Sequence, residues 1–383
     1  MIDKDTTLLT AVFQAYYDAR AHKRNSINQL RFEINLEENL VELYHEILEW
    51  RYKVGRSVCF IVNKPVQREI FAADFRDRVV HNLLYNYISP LFDPTFIDDS
   101  YACRKGYGTL KGIERLEHHI RSCTNNYTQP AYILKLDIQG YFMSMNRNVL
   151  YGKVEHFLLK YDARHDVSTK GIFNLKRILY LIREIVFNDP TKDCIIRGSR
   201  KDWEGLPMSK SLFHSAPQCG LPIGNLTSQL FSNIYLDELD QFVKRELGVR
   251  HYGRYVDDFF LVHSNKYFLL KAEEQIKVFL QDSLGLTLHP KKVYLQDATK
   301  GVVYLGAVVK PYRRYVVNKT RRRIFQSLSE LNVKAGRSRP LSKTEAMKLQ
   351  ASVNSNLGYL NHFRLYRMKC VLEKRNTSFI NYL

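Results

Sequence analysis

The chain lacks any apolar run approaching the roughly 20 residues of a membrane span, and no charged-then-apolar signal segment opens it. A cytoplasmic protein without membrane contact is therefore expected. Paired cysteines are missing too. Cys59, Cys103, Cys123, Cys194, Cys219 and Cys370 show no C-x-x-C spacing, which argues against a zinc site or a disulfide framework and for reduced packing residues. His118-His119 has no partner at ligand spacing and reads as surface rather than metal site. Acid is scarce: 39 Asp+Glu stand against 58 Lys+Arg, a net charge of +19. That excess favours a polyanionic partner over a small neutral substrate, without specifying which. At 383 residues the chain can bury a substantial core and should divide into two or three compact lobes.

Against this shortage, two adjacent acids stand out. Tyr255-Val256-Asp257-Asp258 lies between Val249–Arg254 and the apolar run Phe259-Phe260-Leu261-Val262. Two carboxylates at the tip of an apolar hairpin are costly unless something positive sits on them. A pair of Mg²⁺ ions roughly 3.5–4 Å apart would suit such hard oxygen ligands; a favourable Asp-Asp turn is the plainer reading. A third carboxylate should come from another strand. Ala131–Asp137 alternates as a strand does, with Tyr132, Leu134 and Leu136 on one face and Asp137 emerging at its end. Gly140 then lets the chain turn, and Phe142 returns toward the same place, either to abut a nucleotide sugar or as an ordinary core aromatic.

With these residues the chain resembles reverse transcriptases through most of its length. The strand ending in Asp137 looks like polymerase motif A, Tyr255–Asp258 like the Y-x-D-D box, and Phe142 falls at the family's sugar-discriminating position. Gly220-Leu221-Pro222-Ile223-Gly224-Asn225-Leu226-Thr227-Ser228-Gln229 looks like motif B, but with Ile223 where glutamine is usual and Gln229 where proline is usual. That pair of departures resembles the diversity-generating retroelement class, whose enzymes copy a template RNA with errors at adenines. The resemblance implies Asp137, the Ile138 carbonyl, Asp257 and Asp258 as ligands for two Mg²⁺ ions, with Mn²⁺ as a substitute. It places Phe142, Ile223, Gly224 and Gln229 at the dNTP.

The remaining motifs follow in family order. Arg56–Val62 and Arg68–Phe71 read as a hairpin whose Lys64 and Arg68 match the basic residues that close on the triphosphate. Phe75–His81 matches D-R-x-V-H, with Arg76 and Arg78 open between structural ion pairs and template contact. Ser100–Gly106 matches S-Y-x-x-R-x-G, where Arg104 and Lys105 suit a nucleic-acid backbone. Tyr255 is expected at the primer. Leu40, Leu43, Tyr44, Ile47 and Leu48 follow helical spacing, as do Phe231, Ile234, Tyr235 and Phe242 in a helix from about Asn225 to Leu247, and Leu269, Ala272, Ile276, Phe279 and Leu280 in one ending at Gly285. Leu286–Lys292 resembles motif D, with Lys292 preferred over Lys291 as the acid that protonates pyrophosphate. Tyr304-Leu305-Gly306 resembles the primer-grip turn, with Gly306 against the primer. Lys319, Arg321, Arg322 and Arg323 open a basic helix, and the capping box Ser342–Glu345 starts another, followed by Arg364, Arg367 and Lys369.

The expectation is an α+β right-hand polymerase. It has fingers at 1–110, a first palm part at 111–150, a fingers/palm insertion at 151–219, a second palm part at 220–310 and a helical thumb at 311–383. Its function would be RNA-directed synthesis of error-prone cDNA. Template RNA, the RNA–cDNA duplex, dNTPs and a small basic oligomeric accessory protein are the implied partners. Rival readings are the enzymes of retrons, defence systems or group II introns, disfavoured by the absence of a V-T-G triplet and of a maturase or endonuclease region, and a catalytically idle RNA-binding assembly subunit.

Overall fold

The computed structural model describes residues 4–21, 25–63, 66–165, 174–336 and 341–363. Helices α1 (Lys4–Ala21), α2 (Ile27–Ile34) and α3 (Leu36–Leu48) lead into a hairpin of β1 (Ser57–Val62) and β2 (Arg68–Ala72), then α4 (Phe75–Phe92) and α5 (Thr109–Cys123). Next come β3 (Tyr132–Asp137), the single turn α6 (Tyr141–Ser144), α7 (Arg147–His165), α8 (Leu175–Phe187) and the short β4 (Cys194–Ile196). Helix α9 (Leu226–Gln241) precedes the hairpin β5 (His251–Tyr255) and β6 (Asp258–His263), followed by α10 (Lys266–Leu284) and β7 (Tyr294–Asp297). The chain continues through β8 (Val302–Tyr304), β9 (Ala307–Lys310), β10 (Arg313–Val316), α11 (Asn318–Ala335) and α12 (Lys343–Asn361).

Hydrophobic spacing explains most of these elements. In α3 the predicted stripe buries Leu40, Leu43 and Ile47, and α10 buries Leu269, Ala272, Ile276 and Leu280, with Asn265 capping its start and left-handed Gly285 its end. The expected motif B helix is interrupted: α9 stops at Gln241 and Phe242–Glu246 winds as a π-turn before Gly248 at φ +66°. There Phe242 stacks on Phe279 with centroids 4.2 Å apart, tying α9 to α10. In α12, Ser342 and Glu345 form the predicted capping box, and Leu349, Val353 and Leu360 are buried.

The palm sheet runs in the order β5-β6-β3-β7, all neighbours antiparallel. A fingers sheet, β2-β1-β4, and a third sheet, β10-β9-β8, flank it. One apolar cluster extends from α1 through α4, α8 and α9 to α10 and the palm strands, so fingers and palm share a core instead of dividing as separate lobes. A second cluster joins the other palm face to α5, β8, β9, α11 and α12. Strand β4, in the fingers/palm insertion, pairs with β1 of the fingers hairpin, and β10, beyond residue 310, pairs with β9. Both faces of β3 are covered, since Leu134 and Leu136 enter the first cluster and Ile133 the second.

Candidate active site

Three carboxylates meet at one end of the palm sheet because register puts them there. Asp137 ends β3 directly opposite Asp258, the first residue of β6. Tyr255 pairs with Asp258 across a two-residue loop, Val256-Asp257, so Asp257 rides on the turn itself. Val256 holds φ at +56°, a conformation a β-branched residue adopts at a cost on the order of 1–3 kcal/mol. The Ile138 amide donates to the Asp257 carbonyl at 3.2 Å, which pins the turn to motif A.

Burial pushes the Asp257 carboxyl above its ordinary range, and the neighbouring Asp137 charge pushes it further. Asp258 rises to about 6, mainly through burial, with Lys135 opposing and Asp137 and Asp257 adding to the rise. Its Oδ1 is buried without a hydrogen-bond partner, while Oδ2 takes the Lys135 ammonium at 3.1 Å. Asp137 receives the Lys292 ammonium on both oxygens, each at 2.8 Å. Lys292 reaches it because the segment after α10 runs alongside motif A: the Gln139 amide donates to the Thr287 carbonyl, and the His289 amide to that of Asp137. Among the described residues no three acidic, histidine or cysteine side chains are gathered into a closed cation cage. Asp137 and Asp258 instead take lysine ammonium groups, and one Asp258 oxygen is left without a hydrogen-bond partner.

Around this edge the motif B loop and the fingers hairpin close in. The Leu221 amide donates to the Phe142 carbonyl at 2.8 Å and the Phe71 amide to that of Ile223 at 2.9 Å. Ile223 and Phe142, both half-buried, border one small cluster of Cys59, Phe71, Met143 and Leu212. Gly224 at φ +124° lies so close to the fingers that an added Cβ would sit 2.9 Å from the Ile70 side chain. Gln229 is exposed on α9. Arg68 is exposed at the start of β2, and its charge bears on Asp257, lowering that carboxyl. Lys64 lies outside the described residues.

Behind the turn is a buried ion pair that motif reading missed. Arg254, 0% exposed, grips Asp240 of α9 through Nε at 2.7 Å and a terminal nitrogen at 2.6 Å, and donates to the Val256 carbonyl at 3.1 Å. Asp99 forms a second hub, accepting from Tyr101, Arg115 and Lys244 and pairing with His119 at 3.0 Å. Burial alone would raise Asp99, but His119, Arg115 and Lys244 together hold it far below the ordinary carboxylate range. His119 is thus corrected from surface to core, whereas His118 is exposed. Lys135 was legible in hindsight, since it shares a strand face with Asp137 at period two.

Arg104 corrects another expectation. Its guanidinium binds the Asp93 carboxylate and the carbonyls of Asp93, Ile97 and Ser100, stacks on Tyr107, and is only 7% exposed, so it braces its own loop. Lys105 beside it is exposed. Arg76 likewise pairs with Glu46 and Asp77, and Arg78 donates to the Ala73 carbonyl, which resolves that pair toward structure. Tyr255 is half-buried against the second cluster. Leu305 and Gly306, at φ +48° and +85°, form the tight turn between β8 and β9, and the Gly306 carbonyl accepts from Val317 at the root of α11. Lys319, Arg321, Arg322 and Arg323 are exposed on α11. Arg364, Arg367, Lys369 and Cys370 lie outside the described residues. No helix among the described residues is long and apolar enough to cross a membrane.

Comparison with known proteins agrees with this geometry. The family model for reverse transcriptase (RNA-dependent DNA polymerase) matches residues 67–309, more than half of the chain. Protein YkfC of Escherichia coli strain K12 is 22% identical over 319 residues, covering 74% of each chain. A telomerase from Candida tropicalis, solved with a fragment of telomeric RNA, aligns at TM-score 0.50 and 12% identity, over 86% of this chain and 57% of its own. The Candida albicans telomerase aligns at TM-score 0.49 and 13% identity, over 91% of this chain and 64% of its own. The chain therefore spans less than two thirds of these telomerases, and the Candida tropicalis likeness speaks to fold alone. The matched family model spans the acidic strand ends, the motif B loop and the second strand of the fingers hairpin, and on that ground the chain belongs to the reverse transcriptases, RNA-directed DNA polymerases of right-hand fold.

Proposed function

We propose that this reverse transcriptase extends a primer on template RNA by two-cation nucleotidyl transfer, and that it belongs to the diversity-generating class, making error-prone cDNA. The observation that carries the catalytic part is the convergence of Asp137, Asp257 and Asp258 at one sheet edge, with one Asp258 oxygen buried and unpartnered. The three carboxylates and the Ile138 carbonyl would hold a pair of Mg²⁺ ions, or Mn²⁺ in their place. When bound, these would acidify the primer 3′-hydroxyl and stabilise charge on the departing pyrophosphate.

The chain's own residues do the rest. Arg68 and Lys64 grip the triphosphate, whose charge grows as the bond to the α-phosphorus breaks. Lys292 leaves Asp137 and hands its proton to the pyrophosphate oxygen. Phe142 stands against the sugar 2′ position, and the missing Cβ of Gly224 leaves the motif B backbone close to the nucleotide. Gln229 lines the same side. Tyr255, Gly306 and Lys105 position primer and template, while Lys319, Arg321, Arg322 and Arg323 neutralise duplex phosphates. Arg104 is left out of this set because its donors are engaged within its loop.

Ile223 supports the finer assignment. A branched apolar side chain offers no hydrogen bond to the nucleotide. The nascent pair is then held mainly by its own pairing and stacking, and selectivity falls where pairing is weakest. A basic oligomeric accessory protein that helps capture template RNA belongs to this class reading. The decisive experiment is primer extension on poly-A with Mg²⁺. Parent activity, abolished in Asp257→Asn and Asp137→Asn with RNA binding nearly intact, is expected; variants polymerising near the parent rate remove the assignment. For the class, Ile223→Gln should lower misincorporation opposite template adenine more than opposite other bases. About 1.4 kcal/mol of discrimination corresponds to about tenfold in error. Deep sequencing of cDNA from one RNA reads this out, and an unchanged adenine error rate sinks it.

A further inference from the structure

The stretch from β4 to motif B, expected only as part of a fingers/palm insertion, clasps both strands of the fingers hairpin. Strand β4 pairs parallel with β1, and the Arg197 amide continues the ladder to the Cys59 carbonyl at 2.9 Å. The Arg197 guanidinium lies 4.2 Å over the Phe60 ring. On β2, Gln67 just before the strand donates to the carbonyls of Asp202 and Glu204 at 2.9 and 3.1 Å.

The centre of this clasp is Glu69, which is 0% exposed. Its carboxylate accepts from the Trp203 indole at 2.7 Å, the Ser211 hydroxyl at 2.8 Å and the Leu212 amide at 2.6 Å. All three donors are neutral and all come from the segment. A buried carboxylate is a poor choice for glue alone, because apolar packing stabilises as well without desolvating a charge. What three converging hydrogen bonds add is fixed position. Glu69 and Arg68 are adjacent on a strand, so they face opposite ways: one is sealed against the segment, the other exposed where its charge bears on Asp257. The same segment also reaches motif A, where a Cβ on Gly140 would lie 2.5 Å from the Ser209 carbonyl.

We infer that residues 199–215 are a brace that sets the fingers hairpin over the catalytic edge, with Glu69 the positioning residue through which it fixes Arg68 for the incoming dNTP. The inference rests on the polymerase reading above. Glu69→Gln offers an amide donor where three donors already converge, so the clasp must loosen. The expected result is a rise of about tenfold in KM for dNTP with kcat within about threefold and unchanged affinity for primer–template. Gln67→Ala, a milder cut at a half-buried residue, should raise KM about twofold.

Two readouts separate positioning from mere stability. Arg68→Ala and the double variant Arg68→Ala/Glu69→Gln should share one KM, because Glu69 acts through Arg68; multiplied effects overturn the proposal. Hydrogen exchange at the Leu212 amide should quicken in Glu69→Gln without global loss of protection, and an unchanged rate overturns the brace. If exchange quickens but KM stays at the parent value, positioning is overturned. A parent chain that incorporates no nucleotide would instead remove the polymerase reading and the nucleotide role together, while the exchange measurement still decides the brace.

Discussion

Either side of Tyr255, carboxylates live under opposite rules. Behind it, Asp240 meets Arg254 in a bidentate pair with neither side chain exposed, and Asp99 collects four partners. Ahead of it, Asp257 and Asp258 are half-buried beside the like charge of Asp137, pushed upward in pKa, and one Asp258 oxygen has no partner. Residue type is the same in both places; saturation differs. In the first set the permanent cation Arg254 holds the Val256-Asp257 turn in place through the Val256 carbonyl. The second set is left unsaturated, and the folded state carries that cost. On the function proposed above, stability and catalysis are divided between two clusters joined by one short strand.

The largest test of this contrast is to neutralise one acid in each. Asp240→Asn leaves Arg254 buried beside an amide and should cost on the order of 3–5 kcal/mol. Asp258→Asn, measured without divalent ions, should cost less than about 1 kcal/mol or stabilise the fold, since burial and the Asp137 and Asp257 charges already oppose its ionised form despite Lys135. Urea midpoints decide, and equal losses would erase the distinction.

Acid should strike the structural side next. Burial depresses His81, bonded to Thr227 at 2.7 Å, to about 4, and His251 beside His119 also falls to about 4 by burial. The unfolded chain binds protons below about pH 6.5 that these folded imidazoles refuse until about pH 4, so stability falls as pH drops through that window. For His81 the loss is about 3 kcal/mol. A His81→Asn variant should show a correspondingly flatter decline in melting temperature between pH 7 and 4.5; parallel curves would refute it.

The smallest effect concerns the unsaturated side. Mg²⁺ at ten times its dissociation constant should stabilise the parent by about 1.4 kcal/mol, a rise of roughly 2 °C, and leave Asp257→Asn/Asp258→Asn unmoved. Equal shifts in both proteins would place the ion elsewhere.

Much of this was legible beforehand where a local pattern carries the physics. The stripe of α3, the cap and stop of α10 and the Ser342–Glu345 box follow from periodicity and capping, and the acids at Asp137 and Asp257-Asp258 from their position at strand ends. What stayed hidden depends on partners distant in the chain. Arg104 reads as a free cation until Asp93 and three carbonyls close around it. Asp240 is one more acid on α9 until Arg254 is folded against it.

The sequence by itself determined which residues can do the chemistry and the order in which they are threaded, because motif spacing and hydrophobic period are local properties. Only the tertiary structure decided which charges are spent and which stay poised. Strand register put Asp137 opposite Asp258, and helix packing buried Arg254 on Asp240. The cost or value of a charge is set by what surrounds it in space, and that is settled when the strands and helices pack.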